Sequence, residues 1–412
     1  MKTPKFPSRW IFKARVPTLI FSILVAGWNV LARDFAGIST SQQMPDPIHQ
    51  LPILGNIDWT VAHIPHVRPG PSDGISGMGM VVYGGMIYLM GGFIPFGDGE
   101  ADARGKPGSH RTSRWAHRYE PEAKSWTQLP DMPGRREYCR AISTDNGVYL
   151  LGGACQFAGQ SEYYRPFADC FRLDLSHEAP KWTTHSNFAV PRTHMAVGMI
   201  DGKLLVVAGG NEYNIAVKGY HKSTVRDTTE VFDLSRPDQG WQLRKPLPKP
   251  RGWTASAVCQ DRFYVMGGIT YSDSNIQHRH KENYRYDAAK DEWETITSFV
   301  LPISGWEGAT FKDRYVIAIG GVLLPEDRPI KDYTDELIKN TRWNDIPFVY
   351  DTQEDRWYRL QGALPPRGKF NDAGVCIIGD TIYVAGAEGP SGGHYNHFLI
   401  GRIEMAADVG GP

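Results

Sequence analysis

The stretch Met195-Ala196-Val197-Gly198-Met199-Ile200-Asp201-Gly202-Lys203-Leu204-Leu205-Val206-Val207-Ala208-Gly209-Gly210 decides how the chain is read. Two apolar runs of strand length flank Asp201-Gly202, a pair that tolerates the positive φ of a two-residue hairpin turn. The closing small pair recurs as Gly91-Gly92, Gly152-Gly153, Gly209-Gly210, Gly267-Gly268, Gly320-Gly321 and Gly386-Ala387, at steps of 61, 57, 58, 53 and 66 residues. Six tryptophans, Trp59, Trp126, Trp182, Trp241, Trp293 and Trp357, keep the same period. Five of them follow a polar turn after a strand end, as in Tyr119-Glu120-Pro121-Glu122-Ala123-Lys124-Ser125-Trp126. Self-similarity at such a spacing marks a repeat architecture.

Each unit reads as four strands. In the third unit they are residues 195–200, residues 203–208, residues 229–234 after a variable loop, and a fourth strand carrying Trp241. Trp59 precedes the first strand of the first unit, at residues 78–83. The last unit has strands at 374–378, 381–385 and 397–403 and then ends. The segment around Trp59 supplies its missing fourth strand, which closes a ring and leaves no open sheet edge. The expectation is all-β: a six-bladed β-propeller over residues 55–405, its ring closed by the N-terminal strand, with a tail at 406–412. Two unrelated β-sandwiches would not explain the matched pairs and tryptophans.

The double glycine after the second strand, the aromatic before a six-residue turn and the tryptophan on the fourth strand resemble kelch repeats. The resemblance implies the propeller fold and says little about function.

The 412 residues include 44 glycines and 29 prolines, well above the usual combined share of about 12%. Aromatic residues make up 12%, and 45 basic residues balance 45 acidic ones. Such a chain can bury a large core. Its zero net charge argues against a main task of binding nucleic-acid phosphates. No phosphate loop, dinucleotide fingerprint or Gly-x-Ser-x-Gly elbow stands in its required context.

Lys2, Lys5, Arg9, Lys13 and Arg15 precede an apolar run from Val16 to Ala32. Residues 1–32 read as a secretory signal peptide ending at Val30-Leu31-Ala32. The same run, residues 16–32, is just long enough for a single membrane anchor. Both readings export the remainder, to a periplasmic or extracellular space, with residues 33–54 as a linker. Five cysteines are too few for a disulfide scaffold. Cys155 and Cys170 flank one loop and could pair in an oxidising compartment.

In a propeller, function sits at one mouth of the central channel. The residues just before each first strand and the loops after the small pairs line it. The first set includes Arg136, Tyr138, Arg192, His194, Arg251, Trp253, Trp306, Glu307 and Asp372. Rings beside guanidiniums suit an acidic sugar, through stacking and bidentate pairing. Arg136, Tyr138, Arg192, His194, Trp253 and Trp306 are therefore substrate-binding candidates. The same arginines could instead brace the neighbouring blade. Long loops hold Asp98, Glu100 and Asp102, then His278 and His280, then a short helix expected at 334–340. The acids, with Asp73, would hold Ca²⁺ if they converged, but read as a solvated loop. His278 and His280 lack an evident third metal ligand. No metal and no cofactor are expected.

Gly209-Gly210-Asn211-Glu212 opens the third loop and Val225-Arg226-Asp227 closes it. This is similar to the bacterial N-acetylneuraminate epimerase (sialic acid mutarotase) family, an exported six-bladed kelch group. The resemblance implies Glu212 as the acid–base group of anomer exchange and Arg226 as the holder of the sugar carboxylate. Glu388, after the last small pair, is an alternative carboxylate. Three other readings stay open. One is a non-enzymatic module binding a protein or glycan. Another is a uronate polysaccharide lyase using Tyr138, His194, Arg136 and Arg192. The last is a copper-radical oxidase, for which only scattered tyrosines and histidines are on hand.

Overall fold

Short apolar runs separated by positive-φ turns build sheet almost throughout. The computed structural model describes residues 46–65, 74–95, 110–156, 164–213, 223–271, 276–325, 327, 329, 341–365, 369–390 and 394–406. Their helical element is one 3-10 turn, Pro237–Gln239. Among the described residues no helix is long and apolar enough to cross a membrane. The leader at 1–32, the acidic loop with Asp73, and the expected helix at 334–340 lie outside the described residues.

Three sheets have four antiparallel strands in chain order. The third unit shows the plan: Ala196–Ile200, Leu204–Ala208, Thr229–Asp233 and Trp241–Arg244. Arg140–Thr144 opens a second such sheet and Ala255–Cys259 a third. A fourth sheet, opened by Ser76–Tyr83, adds the short strand His110–Thr112 to the same plan. The fifth has eight strands in line: Ile303–Phe311, Tyr315–Leu323, Phe348–Asp351, Arg356–Gln361, Ile53–His63, His397–Met405, Thr381–Ala385 and Gly374–Ile378. Ile53–His63 meets Arg356–Gln361 in parallel and runs antiparallel to His397–Met405, with Trp59 opposite Gly401. The arrangement is propeller-like. The opening strand of each four-stranded run packs against that of the next, and Gly374–Ile378 packs against Ser76–Tyr83.

Two backbone devices join neighbouring units, and both explain the sequence period. The second residue of each small pair donates its N–H to a carbonyl of the next unit. Gly92 reaches Arg136, Gly153 reaches Arg192, Gly210 reaches Arg251, Gly268 reaches Ile303, Gly321 reaches Phe370 and Ala387 reaches Ile75, at 2.6 to 3.0 Å. The first residue of the pair leaves no room for a side chain: a Cβ on Gly209, at φ +63°, would lie 2.3 Å from the Arg251 carbonyl oxygen. The tryptophans work in the opposite direction. Trp182 donates its indole N–H to Pro130 of the preceding unit, Trp241 to Ser186, Trp293 to Lys245, Trp357 to Thr297 and Trp59 to Gly362. Each ring, buried in Trp357 and half-buried in the others, thus packs apolar surface between sheets while its one polar atom stays satisfied.

Two expectations are corrected. The folded unit begins at Asp46, inside the segment read as linker, because Ile48 and Leu51 are buried with Phe299, Trp306 and Trp357. Cys155 and Cys170 are both buried and are not joined by a disulfide. Cys170 lies on a strand inside its sheet, whereas Cys155 lies on a ribbon strand, Ala154–Gln156, paired with Tyr164–Pro166.

Candidate functional site

Six positions, one per repeat unit, hold left-handed backbone at the start of the opening strands: Gly77, Tyr138, His194, Trp253, Gly305 and Asp372, with φ between 49° and 71°. Their N–H groups and carbonyls link up around the centre. Gly77 donates to Asp372, Tyr138 to Gly77, His194 to Tyr138, Trp253 to His194 and Gly305 to Trp253, at 2.6 to 3.3 Å. Two positions are glycine, which suits this conformation. Tyr, His and Trp do not, at a cost of roughly 1–2 kcal/mol each. Strain of this kind gathers at functional sites.

The three rings stack in order. Tyr138 and His194 have centroids 4.2 Å apart, and His194 and Trp253 4.1 Å. Across from them His194 Nε2 faces Asp372 Oδ1 at 3.6 Å. The Tyr138 hydroxyl donates to Glu388 Oε1 at 2.9 Å. The Ser76 hydroxyl lies 3.4 Å from the same oxygen and 2.8 Å from His394 Nδ1. Two residues beyond the left-handed positions stand Gly79, Arg140, Ala196, Ala255, Glu307 and Gly374. Four are small, and the two large ones pair: Arg140 Nη1 donates to both Glu307 oxygens at 2.9 Å. Their strands stand three places apart in the series of opening strands.

Burial sets the protonation here. It raises Asp372 well above the usual carboxylate value, and the nearby Glu388 and Glu307 charges add to the shift against Arg140. Burial also raises Glu388, against hydrogen bonds from Tyr138 and Ser76, and Glu307, against Arg140. The His194 imidazole is pushed well down by burial and by Arg140, and His394 is pushed to about 4 by burial. Buried carboxyl groups of raised pKa beside imidazoles of lowered pKa could move protons or receive a polar ligand.

The structure brings together Tyr138, His194 and Trp253 and separates the rest of the expected set. Arg192 is fully buried; it pairs with Glu230 and donates to the carbonyls of Val190, Gly209 and Thr228. Arg136 pairs with Asp169 and lies over the Phe167 ring. Arg251 does the same job over Tyr284, donating to Gly267 and Glu282. These arginines brace blades instead of lining the mouth. Trp306 is buried in the core, its indole donating to Met266; the mouth position of its unit belongs to Gly305. Glu212 and Arg226 form a half-exposed ion pair at the foot of a two-stranded ribbon, Asn211–Tyr213 with Ser223–Val225. His280 is held by Thr270 and faces Glu282. Arg140 was missed from the sequence, yet it carries a signal: a large charge in a column of glycines and alanines.

The kelch motif family matches residues 75–133, a span that covers the opening strand, the glycine pair and Trp126 of the first unit. The chain is a kelch-repeat β-propeller. It is similar to the kelch-like protein terF of Aspergillus terreus, 28% identical over 59% of this chain and 49% of the relative. It is also similar to the kelch repeat and BTB domain-containing protein 1 of Ectromelia virus, 25% identical over 70% of this chain and 42% of the relative. Beta-scruin of Limulus polyphemus is 21% identical over 59% of this chain and 24% of its own length. The kelch propeller thus spans less than half the length of each of these relatives. None of the three has a sugar isomerase's name.

Proposed function

We propose that this kelch propeller is a six-bladed ring closed by Ile53–His63, and that it is a non-enzymatic module binding a protein partner at the mouth around Tyr138, His194 and Trp253. The ring reading is supported by the successive contacts of the opening strands, by the Ala387-to-Ile75 link and by the nine-residue pairing of Gly55–His63 with His397–Met405. One observation carries the functional reading: the cations that an acidic sugar would need are already engaged within the fold. Arg136, Arg192 and Arg251 are buried braces, and Arg226 is tied to Glu212. Among the described residues, that leaves these arginines no free guanidinium to receive the carboxylate of the sialic-acid and uronate readings. Kelch proteins commonly bind protein partners, and strained, partly exposed rings at a mouth suit such contacts.

The test is affinity capture with the full chain. Binding of a polypeptide partner is expected with wild type and with Glu212→Gln/Arg226→Gln, and its loss with Tyr138→Gly/Trp253→Gly. Loss in the ion-pair variant with retention in the ring variant would overturn the assignment. An NMR time course of α-sialic acid is expected to show no acceleration of anomer exchange; a rate increase abolished by Glu212→Gln would restore the isomerase reading.

A further inference from the structure

Four carboxyl groups gather around the mouth and its floor: Asp372, Glu388, Glu307 and Glu137. One guanidinium, Arg140, answers them; its Nη1 donates to both Glu307 oxygens and its Nε to the Met195 carbonyl. Glu388 receives Tyr138 and Ser76 hydroxyls, and Glu137 is fully buried beside Thr112. The Asp372 side chain is 6% exposed and accepts no hydrogen bond from the described residues, since its contact to His194 Nε2 is 3.6 Å. A second polar side chain without a partner among the described residues lies three units away in the series. Asn211 is 0% exposed, and both atoms of its amide lack a partner. Asn211 holds the same place after its small pair that Glu388 holds after the last one. The bridges Thr193 with Asn211 and Asn371 with Glu388 are equivalent, so the two side chains leave toward the same face. Glu388 finds Ser76 and Tyr138 in the next two units. Asn211 finds glycine at both matching places, Gly252 and Gly305.

We propose that the floor of this mouth, between Asp372, Glu388 and the Asn211 amide and beside the rings of Tyr138, His194 and Trp253, is a receptor for one organic cation, an ammonium or guanidinium group. Such a group supplies donors to the Asp372 carboxyl and the Asn211 amide oxygen, and its charge answers the acid excess. Aromatic faces add cation–π attraction. Tyr138, Trp253 and Glu388 keep part of their surface exposed, which opens the rim above the buried Asp372 and Asn211 side chains. Among the described residues no three His, Cys, Asp or Glu side chains are grouped to hold a metal ion, which favours an organic cation. The inference rests on the mouth being the binding surface. It also predicts linkage: Asp372, faced by His194, Glu388, Glu307 and Arg140, would release its proton when the cation arrives.

Calorimetry on the full chain tests it with two probes, agmatine for a free amine and a short arginine-containing peptide for a partner's side chain. Saturable binding with proton release is expected, at least about tenfold weaker in Asp372→Asn and unchanged in Glu212→Gln. Asn tolerates the left-handed backbone at this position, so the variant keeps the fold. A tighter peptide points to a protein side chain, and tighter agmatine to a small amine. Absence of saturation by either probe to about 10 mM, or equal binding by Asp372→Asn, would refute the proposal. If partner capture depends on the rings while neither probe binds, the cation inference fails and the protein-binding reading stands. If probes bind and capture ignores the rings, the reverse holds.

Discussion

Three bulky rings occupy backbone that favours glycine, and a carboxyl with no hydrogen bond stands opposite them. The rings are kept at a conformational cost, which separates them from core aromatics. Trp253→Gly should therefore destabilise the protein by less than about 2 kcal/mol, because relief of left-handed strain offsets much of the lost stacking. Trp306→Ala, in a fully buried site, should cost about 3–5 kcal/mol. Chemical denaturation of the two variants compares them. For Asp372, burial raises the folded value above the ordinary 3.8, so the folded state binds more protons than the unfolded one as pH rises. Stability from this group is present at low pH and is lost on going to neutral pH. Asp372→Asn should raise Tm at neutral pH, and the gain should vanish near pH 3.8. A gain independent of pH would contradict this assignment.

At the level of elements, Arg136, Arg192 and Arg251 before three opening strands and the Glu212–Arg226 pair at its ribbon do different jobs from those their chemistry first suggests. Arg192→Met leaves the Glu230 carboxylate buried without its counter-charge, an expected loss of about 3–5 kcal/mol. Arg226→Gln, in a half-exposed pair, should cost less than about 1 kcal/mol. A denaturant midpoint for each variant distinguishes brace from surface pair. Strand positions were legible because period and turn chemistry act locally: the last unit's strands at 374–378 and 381–385 fall where the alternation and the turn residues put them. The roles of Arg192 and Trp306 were not legible. A one-residue step decides whether a side chain faces the channel or the space between sheets, and only the left-handed residue at Gly305 rather than Trp306 fixes that step.

For the molecule as a whole, the recurring glycines and tryptophans state the repeat, whereas the charge balance hides where charge is concentrated. Arg140 and Glu307 are far apart in sequence, and only the packing of successive opening strands brings them together. The acid excess at the mouth is equally invisible in a chain with zero net charge. Closure is tested by removing residues 1–64. Loss of Ile53–His63 uncovers the edge of His397–Met405, and aggregation with loss of soluble monomer is expected in ultracentrifugation. An equally soluble monomer with unchanged Tm would argue against closure by this strand. The claim that the mouth is the working surface is tested most directly by site-specific photo-cross-linking in the full chain. A photoreactive residue replaces Tyr138 in one variant and Leu243, exposed on a fourth strand, in another. The account expects a discrete cross-linked partner from position 138 and none from position 243; a partner captured only from position 243 would contradict it.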